Sequence, residues 1–176
     1  MNLPNKLTCL RMAMIPFFVV FMYLPQGWAR YVALAIFVVA SLTDTADGYI
    51  ARKYHLVTDF GKFMDPLADK LLVCSALICL VDTREIPAYV VLIIIAREFI
   101  ISGFRLVAAD NGIVIAASWW GKTKTVSQMI MIVVILLNIS GWRVFELVLI
   151  AVATALTVIS LCDYIIKNIE VLGKQK

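Results

Sequence analysis

The sequence predicts an all-α, polytopic integral membrane protein with six transmembrane helices and both termini cytoplasmic. Three observations predict it. Of the 176 residues, 62% are apolar and 16% charged, whereas soluble domains are roughly half apolar and a quarter charged. Apolar runs recur along the whole chain, and six spans of about 20 residues would use roughly 120 positions, leaving short connections and no room for a soluble domain. Finally, every Lys and Arg except Arg30, Arg84 and Arg143 gathers at one end of the alternating spans, the end that the positive-inside rule assigns to the cytoplasm. The same composition excludes disordered and collagen-like chains. One His and four scattered Cys exclude a disulfide scaffold. A net charge of +4 is weak as a global signal, and no nucleic acid partner is expected.

The elements follow in order. Met12 to Ala29 is an uncharged run for the first span. Lys6 and Arg11 precede it as in a signal peptide, but no small-x-small cleavage site closes it, so it reads as a permanent helix. The second, third and fourth runs, Tyr31 to Thr43, Leu71 to Val81 and Ile86 to Ala96, reach membrane length only by taking in charged residues at one end. Thr125 to Trp142 and Leu147 to Cys162 supply the last two. Breaks at Pro25-Gln26-Gly27, at Asp82-Thr83-Arg84 with Pro87, and at Ser140-Gly141 separate spans on the outer side. Segments 52–62 and 105–122 and both termini lie on the inner side. Trp28, Tyr31, Tyr89 and Trp142 fall near the outer boundary, where amphipathic rings are favoured. Cys9, Cys74, Cys79 and Cys162 sit in apolar runs without a Cys-x-x-Cys pair and read as buried, reduced packing residues. With no internal repeat or boundary, residues 1–176 read as a single domain.

The chemistry is carried by acids. The second helix ends in Asp44-Thr-Ala-Asp47-Gly48-Tyr-Ile-Ala51-Arg52, and at 100° per residue Asp44, Asp47, Gly48 and Ala51 share a face. The third begins with Gly61-Lys-Phe-Met-Asp65-Pro-Leu-Ala-Asp69, which aligns Gly61, Asp65 and Asp69. Two antiparallel neighbours can therefore bring four carboxylates together. Such a group at membrane depth is expensive and self-repelling, so a cation must compensate. Hard divalent cations suit carboxylate oxygens, and Mg2+ keeps part of its shell for water or a substrate phosphate. Gly48, Ala51 and Gly61 leave room for a neighbouring helix or a ligand. Pro66, best tolerated in a first turn, predicts a third helix that starts late or kinks.

Asp44-x-x-Asp47-Gly48-x-x-Ala51-Arg52, eight residues, then Gly61-x-x-x-Asp65-x-x-x-Asp69 resembles, without departure, the signature of the CDP-alcohol phosphotransferase family. Eight fixed residue types at about 5 to 7% each match by chance on the order of once in a billion start positions, so coincidence is no competitor. The resemblance implies a six-helix membrane domain that moves the phosphatidyl or other phospho group of a CDP-linked donor to an alcohol, releasing CMP. It implies two divalent cations, Mg2+ or Mn2+, held by Asp44, Asp47, Asp65 and Asp69, with Asp69 also the general base. It implies contacts to the donor, CDP-diacylglycerol, from Asn5, Thr8, Gly48, Ala51, Arg52, Thr58 and Gly61. Asn5 and Thr8 are equally suited to cap a helix just before the first span. A homodimer is carried over on the same resemblance.

Arg97-Glu98-Phe99 with Ser102 and Arg105, then Gly121-Lys122-Thr-Lys124-Thr125 and Gln128, resembles the bacterial branch of the family whose acceptor is sn-glycerol 3-phosphate. Basic residues inside apolar helices are costly unless they meet an anion, and Arg97, Arg105 and Lys122 would hold the acceptor phosphate. The alternative for Arg105, Lys122 and, above these, Lys124 is that they are positive-inside anchors or partners of Glu98. Inositol phosphate and phosphatidylglycerol remain open as acceptors. The setting implied is the inner membrane of a bacterium, with the site facing the cytoplasm and opening sideways to the lipid bilayer. His55 reads as a solvated loop residue. An ion transporter would place its acids near mid-membrane, and a purely structural protein would leave the four Asp without a reason.

Overall fold

The computed structural model describes residues 3–53, 59–110, 115 and 118–173, with side chains for 5–43, 64, 66–109, 115 and 118–168. These form α1 (Leu3–Tyr23), α2 (Gly27–Lys53), α3 (Asp59–Asp82), α4 (Ala88–Asp110), α5 (Trp119–Leu137) and α6 (Arg143–Gly173). Among the described residues there is no strand. Asn5–Tyr23, Trp119–Leu137 and Arg143–Asn168 are each long and apolar enough to cross a membrane, as a membrane protein requires. The helices fall into two compact units.

The first unit holds Met1–Thr83 with Ile135–Asn138. α1 ends where Pro25 denies helical geometry to the residue before it, and α2 starts at once, its Ala29 N–H bonded to the Gln26 carbonyl at 2.9 Å. The resulting antiparallel hairpin is sealed by Phe18 on Phe37 (ring centroids 6.1 Å apart) and Phe21 on Trp28 (6.0 Å). Ala29, Ala33 and Ala40 are wholly buried along α2; their small side chains let backbones approach in lipid, where packing rather than water exclusion drives association. α3 also packs against α1 and α2, burying Ala68, Leu72, Ala76 and Leu80. Hydroxyls inside the apolar helices bond back one turn, as Ser41 Oγ does to the Phe37 carbonyl at 2.7 Å, which satisfies the hydroxyl within its own helix. The third helix does not wait for Pro66: α3 starts at Asp59 and carries the proline inside.

α5 stops at Asn138, which takes positive φ (48°). Arg30 covers the exposed carbonyls of that last turn, donating from Nη2 to Ile135 at 2.6 Å and from Nε to Leu136 at 3.0 Å, a favourable place for a cation at a helix C-terminus.

The second unit holds Arg84–Val134 and Ile139–Lys176. Glu146, Ile150, Ala153, Thr157, Ser160 and Tyr164 are buried on α6 at alternating spacings of four and three, and Val90, Ile94, Arg97 and Ile101 repeat that rhythm on α4. Alternation of this kind is the seam of a left-handed helix pair. The pair is parallel: at the start of both helices Arg143 donates to the Glu85 carbonyl at 3.2 Å, and Phe104 meets Tyr164 (6.1 Å) farther along. α6 is preceded by a β-turn, Trp142 N–H to the Ile139 carbonyl at 3.1 Å, with Gly141 at φ 88° supplying the left-handed residue. Cys79 is buried and Cys9 and Cys74 half-buried, all free, but Cys162 is exposed. That corrects the expectation of a uniformly buried set: on a spanning helix a weakly polar thiol is as well accommodated by lipid as by a core.

Candidate active site

α2 runs unbroken through Asp44, Asp47, Gly48, Ala51 and Arg52, and α3 through Gly61, Asp65 and Asp69. The helical register on which their shared faces depend is therefore continuous on both sides of the connection. The side chains of Asp44, Asp47, Gly48, Ala51, Arg52, Gly61 and Asp65 lie outside the described residues, as do Thr58 and His55 altogether. Asp69 is half-buried and engaged within the chain. The donor set of the motif is hard oxygen throughout, on two helices of one unit, which fits divalent cations of the Mg2+ type.

Asn5 and Thr8 are buried, Thr8 completely, on the face of α1 that continues through Arg11, Ile15 and Phe18. Because α1 starts at Leu3, both lie inside the helix, and the capping alternative falls away. Arg11, counted in the sequence only as an inner-face charge, is 1% exposed.

In the second unit, one carboxylate organises the basic residues. Glu98 Oε1 accepts from Arg97 Nη1 at 2.9 Å and also from Lys124 Nζ of α5. Arg97 Nη2 reaches Ser160 Oγ on α6 at 2.5 Å, while its Nε is buried without a partner. α5 opens at Trp119, with Ser118 as its cap: Ser118 Oγ accepts from the Gly121 N–H at 3.1 Å. Gly121 lies beneath the guanidinium, and one turn beyond Lys124 the amide nitrogen of Gln128 is buried and unpartnered.

Of the three residues expected at an acceptor phosphate, only Arg97 belongs to this group. Arg105 is exposed, its guanidinium 5.9 Å from the centre of the Tyr164 ring, and Lys122 is exposed on the first turn of α5. No hydrogen bond or ion pair joins either to Arg97. Lys124 takes the alternative partner, Glu98, and is 2% exposed. Ser160 escaped the sequence reading because a lone serine in an apolar run carries no signal until its helical partner is known.

A profile of CDP-alcohol phosphatidyltransferases matches residues 1–159. The chain belongs to the CDP-alcohol phosphatidyltransferase family. Members of the family generally depend on divalent metal. A Bacillus subtilis (strain 168) relative named CDP-diacylglycerol–glycerol-3-phosphate 3-phosphatidyltransferase is 46% identical, over 97% of each chain. A Haemophilus influenzae relative of the same name is 40% identical over 93% of this chain and 91% of its own. A Mycobacterium tuberculosis (strain H37Rv) family member named probable phosphatidylglycerophosphate synthase is 42% identical over 98% and 84%.

Proposed function

We propose that this chain transfers the phosphatidyl group of CDP-diacylglycerol to sn-glycerol 3-phosphate, giving phosphatidylglycerophosphate and CMP. The observation that carries the reading is the near-full-length similarity to relatives named for that reaction, beside a family signature with every fixed position filled. Asp44, Asp47, Asp65 and Asp69 would hold two divalent cations, Mg2+ or Mn2+, which supply charge neutralisation at the diphosphate when bound. Asp69 takes the proton of the acceptor hydroxyl as that oxygen bonds to the lipid-linked phosphorus and the bond to CMP breaks. Asn5, Thr8, Gly48, Ala51, Arg52, Thr58 and Gly61 seat the donor, Arg52 offering phosphate a forked pairing that Lys cannot copy. Arg97, Arg105 and Lys122 attract the acceptor phosphate, with Arg97 as its innermost contact.

Residues 1–176 act as one membrane domain with six spans and both termini cytoplasmic, in the inner membrane of a bacterium, with the site on the cytoplasmic side and a homodimer as the assembly. Cysteine accessibility scanning in oriented vesicles tests the topology. The reaction is tested with purified protein, CDP-diacylglycerol and Mg2+ in detergent. CMP should appear with sn-glycerol 3-phosphate and not with inositol 1-phosphate, serine or phosphatidylglycerol; preference for another acceptor would overturn the substrate assignment.

A further inference from the structure

The polar group around Glu98 has a geometry that charge neutralisation alone does not require. The guanidinium of Arg97 presents five N–H donors in a fixed plane. Nη1 is committed to Glu98 and Nη2 donates one of its two hydrogens to Ser160. Nε and Nη2 share the edge of the guanidinium that can grip a phosphate through two parallel hydrogen bonds. On that edge Nε has no partner although Arg97 is only 7% exposed. Nη2 lies over the one position of the α5 first turn that lacks a side chain, since a β-carbon on Gly121 would stand 3.4 Å from it. The start of a helix favours anions, and this one is the first turn of α5. On the same face of α5, Gln128 adds a second buried nitrogen without a partner, at 2% exposure. Arg97 Nε, a buried donor without an acceptor beside a helix start, marks a site waiting for an anion, and Gln128 lies about two turns farther along the same face.

We infer that Glu98 is a positioning residue for the acceptor phosphate: it draws Arg97 Nη1 and the Lys124 ammonium to one carboxylate oxygen and so turns the Nε–Nη2 edge of Arg97 toward Gly121, where it receives a phosphate monoester. Ser160 fixes the same guanidinium from α6. The inference rests on sn-glycerol 3-phosphate being the acceptor, and it adds residues that never touch the substrate to the determinants of its binding.

The test is steady-state kinetics of the full chain in CDP-diacylglycerol mixed micelles, varying each substrate in turn, with inorganic phosphate as a competitor. In Glu98→Gln the KM for glycerol 3-phosphate should rise about tenfold or more, the scale of one charge-assisted hydrogen bond. The inhibition constant of phosphate should rise in parallel, and the KM for CDP-diacylglycerol should stay within about twofold. Glu98→Asp should recover part of the loss. Glu98→Gln with Lys124→Gln restores the wild-type charge without the clamp and should remain impaired. Ser160→Ala, which removes one hydrogen bond and no charge, should raise the acceptor KM alone, by about threefold to tenfold, and keeps the inference testable if Glu98→Gln does not fold. A double variant with wild-type KM, or equal effects on both substrates, would overturn the positioning role while leaving the reaction intact. Wild-type protein that transfers nothing to glycerol 3-phosphate would overturn the reaction and the inference together.

Discussion

Gly121 lies directly against the guanidinium of Arg97, with room at residue 121 for a β-carbon only at 3.4 Å from Nη2. Alanine fits there without clash and should favour the helix by up to about 1 kcal/mol, yet its methyl covers the edge meant for the acceptor. Gly121→Ala should therefore keep or raise the thermal stability while raising the KM for glycerol 3-phosphate. Gly121→Val should raise it further. Thermal unfolding in detergent beside acceptor titrations checks the pair; a stability loss with unchanged KM would mean that the glycine serves packing alone.

Asp69 is the carboxylate assigned to proton transfer. Asp69→Asn keeps the shape and removes the basicity, so kcat should fall by about 10² to 10⁴. Binding of CDP-diacylglycerol, followed by native mass spectrometry, should persist. Loss of the folded protein instead would point to a structural role.

Removing divalent cations should abolish turnover, because the four carboxylates proposed to hold them would then lack the charge that lets them stay ionised together. Dialysis against EDTA followed by assay, with activity returning on Mg2+ or Mn2+, checks it. Full activity after chelation would argue against the metal-binding assignment of the Asp motif.

Arg30 caps α5 through the carbonyls of Ile135 and Leu136. Arg30→Ala should cost about 1 to 3 kcal/mol, read as a Tm lowered by about 2–4 °C per kcal/mol in a chain of this size. Arg30→Lys should recover less than half, because an ammonium cannot reproduce the planar fork. The acceptor KM at low temperature should not move.

Much of this was legible in the residues themselves. Pro25, Pro87 and Gly141 stand at three of the breaks the sequence predicts, and each marks the end or beginning of a helix, because missing N–H groups and positive φ act locally. The helices that carry the Asp motif were legible for the same reason: both run unbroken through it. Which face of each helix looks inward was not legible. In a spanning helix the lipid-facing and core-facing sides are both apolar, so no periodicity separates exposed Leu106 from buried Ile101. Buried Arg11 therefore passed for an inner-face charge, and Ser160 for one polar residue among many. The role of Ser160 depends on a partner far away in the chain, Arg97.

The most direct measurement follows isotope from acceptor to lipid. Purified protein is given CDP-diacylglycerol, Mg2+ and sn-glycerol 3-phosphate labelled in its glycerol carbons, and the chloroform-soluble product is identified by mass. The label should enter the organic phase as phosphatidylglycerophosphate, one molecule for each CMP released. CMP released while the label stays in water would mean hydrolysis rather than transfer, and would contradict the account.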